Sequence, residues 1–292
     1  MTDKKVIVVT GSSSGIGLGI TKLLAEKDYA VFVTYHQEKE KGEKAVKEIT
    51  EKGGEATLVE VDVKSEDSVK KLFELVNKKY GKLDVLVNNA GIEKPNPIEK
   101  LNFKDWNDVV LTKINGHFLC TKYAIPLLKR AKISHIFNIV SSLGERPDPD
   151  YPAYCVGTAG TIAFTKMMAV HLGKYGIRVN GIALGTTKTP MWDTMGGDDE
   201  KMWQSFAKNN PLGRVSTPQD IAKIIWLLLT QDAEYLNGNI IYVNGGGHLK
   251  GQRLKFKSFL RKRKWCGVTS NNSSGPIKVK YCSKDRFKAG AI

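Results

Sequence analysis

A glycine-rich turn near the N-terminus carries the first residues whose types and spacing point to chemistry. The run Thr10-Gly11-Ser12-Ser13-Ser14-Gly15-Ile16-Gly17 follows the apolar segment KVIVV and opens directly into LGITKLLAEK. Glycine at a strand-to-helix turn lets the main chain approach a pyrophosphate, and the first turn of the helix offers unpaired N–H groups and a positive dipole end. Gly11, Ser13, Ser14, Gly15, Ile16 and Gly17 are therefore candidate phosphate contacts. Gly-Ser turns also serve plain loops; the strand before and the helix after give this one its meaning.

The elements that must position such a turn are legible as a repeat. Short β-branched runs, KVIVVTG, YAVFVTY, ATLVEVDV and LDVLVNNAG, each precede an amphipathic helical pattern. The alternation resumes with SHIFNIVSS, a helix from about residue 154 to 175, IRVNGIALG, a loop-rich stretch, the helix PQDIAKIIWLLLT and a last strand NIIYVNGGG. Strands that read as continuous apolar runs are buried on both faces, which predicts a parallel sheet covered by helices on both sides. The expected fold class is α/β: a single doubly wound Rossmann domain with a seven-stranded parallel sheet over residues 1–248, plus a basic C-terminal extension over 249–292. With 292 residues and 41% apolar content, the chain can close a sizeable core.

Several motifs, in order, resemble the short-chain dehydrogenase/reductase (SDR) family. They are the TGxxxGIG turn, Asp62-Val63 at the end of the third strand, Asn88-Asn89-Ala90-Gly91 at the end of the fourth, Asn115 in KINGHF, Ser141 in NIVSSLG, Tyr154, and GIRVNGIALGTTKT. The likeness extends over residues 1 to about 248 and includes PLGRVSTPQDIA and NGNIIYVNGG. It implies a nicotinamide dinucleotide as cofactor, with Asp62 and Val63 against adenine, Asn89, Ala90 and Gly91 beside the cofactor, and Gly185, Thr187 and Thr189 at the nicotinamide amide. The end of the second strand, Thr34-Tyr35-His36, has no acid before Glu38 to grip the ribose hydroxyls and repel a 2′-phosphate. Tyr35 and His36 thus favour NADP(H) over NAD(H), weakly, because the glycine turn contains no arginine and Ser14 stands where a base is often found.

Carbonyl reduction needs a proton donor for the oxygen that becomes an alkoxide and a group that polarises the carbonyl beforehand. Tyr154 is the candidate acid, and Ser141, 13 residues earlier, is the candidate polarising hydroxyl. Ser142 is the alternative, and Ser141 is preferred because Asn138 precedes it by three residues and Gly144 follows it by three, as in the family pattern. The resemblance gives Asn115 a role in anchoring the proton-relay water; a structural asparagine at a helix kink is the alternative.

One departure weighs on all of this. The family writes Tyr-x-x-x-Lys, and this chain has Tyr154-Cys155-Val156-Gly157-Thr158. A lysine four residues on shares the tyrosine's helix face, reaches the nicotinamide ribose and lowers the phenol pKa; Thr158, at the position of the family lysine, can hydrogen-bond but carries no charge. Lys166 lies about 18 Å further along a helix, too far to substitute. Lys113 can approach the site, but the sequence does not place its side chain. Two functions follow: an NADP-linked oxidoreductase interconverting a secondary alcohol and a ketone with reduced activity, or a catalytically inactive dinucleotide-binding or interaction protein of the same fold. A second departure is Leu184, where the family usually has proline, which suggests a looser loop over the cofactor.

Other features bound the remaining possibilities. Met191, Trp192, Met195, Trp203 and Phe206 lie in the stretch where SDR proteins carry a substrate lid, either lining an apolar pocket or packing the lid down. AGIEKPNPIEKLNFKDWNDV resembles bacterial glucose dehydrogenases and the general layout resembles 3-oxoacyl-carrier-protein reductases, so sugar, acyl thioester and small ketone substrates all remain open. The resemblance implies a homotetramer built through the helices after the fourth and fifth strands. The formal charge of +15 is concentrated in residues 249–292, where 13 lysines and arginines face the single acid Asp285. That tail reads as an inert solvated extension, with nucleic acid or an anionic membrane surface as less favoured partners. Cys120, Cys155, Cys266 and Cys282 have no metal-ligand spacing, and no metal site is expected. The absence of a signal-like or membrane-spanning run makes a cytoplasmic location the default.

Overall fold

A computed structural model describes residues 4–194 and 199–249, which belong to one unit. The basic tail, and with it the question of nucleic acid or membrane contact, lies outside the described residues, as does Met195. The predicted strands form a seven-stranded sheet in the order β3-β2-β1-β4-β5-β6-β7, with every neighbouring pair parallel. They are β1 Lys5–Val9, β2 Tyr29–Tyr35, β3 Glu55–Glu60, β4 Val85–Asn88, β5 Ser134–Ser141, β6 Ile177–Leu184 and β7 Ile240–Val243. All residues of β2, β4 and β5 are buried, the polar Thr34, Asn88, His135 and Asn138 included, as expected of strands covered on both faces.

Helices cover both faces. On one side α1 (Gly15–Glu26), α2 (Lys39–Thr50) and α9 (Pro218–Leu228) bury Ile20, Leu24, Ile49, Ile221 and Ile225 against β1 and β2. On the other, α3 (Glu66–Tyr80), α5 (Gly116–Leu128) and α6 (Pro152–Gly173) bury Leu72, Val76, Leu119, Leu128 and Leu172. Local sequence fixes their ends. The Ser65 hydroxyl caps α3, which closes on Gly81 in the left-handed region (φ 68°), and Thr217 with Asp220 forms a capping box at the start of α9.

Strand order reverses between β1 and β4, so the crevice beyond their carboxyl ends is where such a sheet binds ligands. Buried polar side chains hold the strands in register from both ends. Asp84 Oδ2 accepts the Val6 N–H at 2.8 Å. Asn88 Nδ2 donates to Asn138 Oδ1 (2.9 Å), whose own amide nitrogen donates to Thr165 Oγ1 (2.9 Å), a polar chain running from β4 through β5 to α6.

Helix α4 (Phe103–Val110) is joined to α5 by a π-helical turn, Leu111–Asn115. Such a turn inserts one extra residue into the helical repeat and is found mostly at functional positions. Leu184 is a buried strand residue that pairs with Val243. A Cβ on Gly185 would stand 2.7 Å from Asn244 Cβ, and Thr187 Oγ1 lies 2.8 Å from Ser216 Oγ.

Candidate active site

The glycine turn is built as a rigid cradle. Gly11 (φ 62°) and Gly15 (φ 56°) occupy the left-handed region that side chains avoid. A Cβ on Gly17 would stand 2.6 Å from the Gly11 carbonyl oxygen and 2.7 Å from Asn89 Nδ2. Asn89 donates to the Thr10 and Gly11 carbonyls (2.9 and 3.0 Å), while Ala90 N–H donates to Thr10 Oγ1 (3.0 Å). The β4 turn therefore clamps the β1 turn from beside, and Gly91 continues it toward the interior. Ser14 stands at the N-cap of α1 without capping it through its side chain, which leaves the first-turn N–H groups to an incoming anion. Ser13 and Ile16 are both partly exposed along the same turn.

The other cofactor candidates surround this cradle. Asp62 Oδ1 accepts the Lys64 N–H at 2.9 Å, and Val63 packs where a Cβ on Gly116 would stand, 2.9 Å from its Cγ2. Thr189 lies over the turn, 3.5 Å from the position of a Cβ on Gly15. Tyr35 is turned toward β3, its hydroxyl 3.4 Å from Glu60 Oε2, and His36 is the first exposed residue beyond β2.

Ser141 ends β5 with its hydroxyl accepting the Leu143 N–H, and it faces the first turn of α6, which carries Tyr154. Packing around Tyr154 pushes its phenol above the ordinary value, and Glu93 raises it further. The Ser141 and Thr158 hydroxyls flank the phenol and act in the opposite direction. Thr158 is fully buried, with its hydroxyl against the Tyr154 phenol.

Comparison with known proteins matches this geometry. A family model described as Enoyl-(Acyl carrier protein) reductase matches residues 11–248. The chain is a short-chain dehydrogenase/reductase. It is 36% identical over 245 residues to the 3-oxoacyl-[acyl-carrier-protein] reductase FabG of Staphylococcus aureus, covering 84% of this chain and 98% of the relative. The corresponding FabG of Thermotoga maritima is 33% identical over 242 residues, covering 83% and 97%. Among solved structures, a variant of actinorhodin polyketide ketoreductase with NADPH superposes with a TM-score of 0.78 at 31% identity, covering 84% of this chain and 98% of that one. A short-chain dehydrogenase from Bacillus anthracis gives 0.76 at 32% identity, covering 85% and 98%. The chain is thus an NAD(P)-dependent oxidoreductase of the SDR family.

As an SDR it departs from the sequence expectation in one respect. Asn115 is not brought to Tyr154: it is exposed, at the end of the π-turn. The residue this turn sends inward is Lys113, 3% exposed, with Nζ donating to the Ile139 carbonyl at 2.8 Å and lying 5.6 Å from the Tyr154 ring centroid. Glu93, just past the NNAG turn, adds a carboxyl whose Oε1 is buried without a partner; burial pushes its pKa up to about 8 against the pull of Lys113. Sequence reasoning did not single out Glu93. The lid aromatics pack on one another: Trp192 lies 5.6 Å from Trp203 and 5.2 Å from Phe206 between centroids, and its indole N–H donates to the Thr187 carbonyl at 3.0 Å. Trp203 and Phe206 are buried, which favours the packing role over the pocket-lining one, whereas Met191 remains exposed. No group of metal-ligating residues occurs among the described residues, nor is any helix among them long and apolar enough to cross a membrane.

Proposed function

We propose that this SDR reduces a ketone to a secondary alcohol, with a 3-oxo thioester as the substrate class and NADPH as the preferred reductant. The observation that carries the reading is the convergence of Ser141 and Tyr154 beside an intact dinucleotide cradle. The names of the relatives, 3-oxoacyl reductases and a polyketide ketoreductase with NADPH, support the substrate and the cofactor. The absence of an acid between Tyr35 and Glu38 supports the phosphorylated form.

Gly11, Ser13, Ser14, Gly15, Ile16 and Gly17 would hold the pyrophosphate, Asp62 and Val63 the adenine, Asn89 to Gly91 the adjoining ribose, and Gly185, Thr187 and Thr189 the carboxamide end. When bound, the cofactor supplies the hydride. Ser141 donates a hydrogen bond to the substrate oxygen and polarises the carbonyl, and Tyr154 passes its phenolic proton to that oxygen as it becomes an alkoxide. Thr158 Oγ1, buried beside the phenol, would be the hydroxyl left to meet the nicotinamide ribose. Purified protein should oxidise NADPH faster than NADH in the presence of a 3-oxoacyl thioester, followed by loss of reduced-nicotinamide absorbance. Cofactor binding with no oxidation over a panel of thioesters, ketones and sugars would refute the reading.

We further propose a homotetramer. Phe118 on α5 and Val156, Met167 and Val170 on α6 are exposed in the single chain, and apolar side chains clustered on two neighbouring helices mark an association surface. Light scattering should report four chains per particle for the wild type and a smaller particle for V170E. An unchanged mass for V170E, or a monomeric wild type, would place the interface elsewhere or remove it.

A further inference from the structure

With threonine at position 158, the phenol of Tyr154 has no lysine within reach on its own helix. A different lysine is buried across from it. Lys113 leaves the π-turn Leu111–Asn115 and crosses toward β5, and two glycines make room for it. A Cβ on Gly157 would stand 3.1 and 3.4 Å from Lys113 Cβ and Cγ, and one on Gly91 would stand 3.4 Å from Nζ. Gly157 lies within the very Tyr154–Thr158 segment from which the lysine is missing.

The ammonium is under-used where it lies. An ammonium has three N–H donors, and among the described residues only one of them finds an acceptor, the Ile139 carbonyl. No carboxylate among the described residues lies within ion-pair distance of it. Burying a cation this way is costly, and such arrangements are found where the charge has a task. The ring of Tyr154 is 5.6 Å away, and the buried Thr158 hydroxyl flanks the phenol from the same helix.

We propose that Lys113 is the cation of this active site, a positioning residue that reaches Tyr154 from the α4–α5 junction and holds a positive charge against its phenol in place of a lysine at position 158. The inference rests on the reductase reading above. In reduction the Tyr154 O–H bond breaks, an O–H bond forms on the substrate oxygen, and the phenol is left as an anion that solvent later reprotonates. A cation beside that anion lowers the cost of forming it. The charge state of Lys113 is set by the groups packed around it. Burial pulls its pKa down to about 8, Glu93 pulls it back up, and His117 on α5, held to about 3 by its own burial and by Lys113, contributes no competing charge near neutrality. Tyr154 faces it from α6, and Asp148 acts on it through Glu93. The ammonium form therefore predominates below about pH 8 and is lost above it, so reduction should slow as pH rises through that value.

The test reads the phenol directly and needs no turnover. 3,5-Difluorotyrosine in place of Tyr154 makes the phenol more acidic, and its absorbance reports the midpoint. K113M keeps the aliphatic stem against Gly157 and removes the charge. Its midpoint should rise by about one pH unit or more, and K113M/T158K, which returns an ammonium from the family position, should bring it back down. In the enzyme with natural tyrosine, K113M should lose roughly 10- to 100-fold in kcat with KM nearly unchanged, and T158K should restore most of it. A midpoint that K113M leaves in place, or a loss of kcat that T158K does not rescue, would overturn the proposal. A protein that reduces no ketone yet shows the midpoint shift refutes the reductase reading and leaves the role of Lys113 standing; active protein with no shift does the reverse.

Discussion

Y154F should lose roughly 10²- to 10⁴-fold in ketone reduction, the span ascribed to a positioned general acid, while binding NADPH as tightly as the wild type. The split follows from where the hydroxyl sits. Tyr154 occupies the first turn of α6, across from Ser141 and on a different element from the glycine turn, so removing one oxygen takes away the proton donor without touching the phosphate cradle. The ring itself remains to pack under Lys113. Single-turnover reduction and NADPH fluorescence titration on the same preparation separate the two effects. If Y154F keeps more than about a tenth of the wild-type rate, another donor supplies the proton, and Lys113 would be the first to examine.

The second large effect is expected at Gly17. G17A should weaken NADPH binding by roughly 100-fold, about 2.7 kcal/mol, while the protein still folds. The added methyl would meet the Gly11 carbonyl oxygen at 2.6 Å, Asn89 Nδ2 at 2.7 Å and Ser12 Cα at 2.8 Å, of which two are main chain and the third is pinned by its own hydrogen bonds. None can yield cheaply. The turn must open, and with it the contact between Asn89 and the Thr10 and Gly11 carbonyls. Equilibrium dialysis reads the affinity, and a thermal melt shows whether the sheet survives. Undiminished binding would mean that the main chain between Gly11 and Gly17 is not what holds the phosphates.

Much of this architecture was readable because the physics behind it is local. β2 and β4 are buried on both faces and are written almost wholly in apolar residues, and the glycines at 11, 15 and 17 answer backbone angles and close approaches that no other residue meets. Ser141 and Tyr154 were reachable in the same way, from a strand end and a helix start 13 residues apart. Asn115 and Lys113 were not. A helix assumed to turn regularly gives no reason to prefer position 113 over 115, and the π-turn that does so contains neither glycine nor proline to announce it. Its partner signal, Gly157, is meaningful only once α6 is seen to lie against Lys113. Glu93 escaped notice because it lies in the irregular stretch after β4, where no periodicity foretells burial. The lid aromatics were recognised as a group, but only their mutual distances show that Trp203 and Phe206 face each other and Trp192.

The π-turn also makes chain length itself a constraint. Each residue removed from a helix rotates everything before it by about 100° relative to everything after. Shortening Leu111–Asn115 by one would restore an unbroken α-helix between Phe103 and Leu128, and propensity alone would welcome the change. Yet either the amphipathic face of α4 or the residue in the place of Lys113 would then point the wrong way. Point substitutions along this stretch should therefore be tolerated far better than a single deletion, even at positions whose side chains touch nothing.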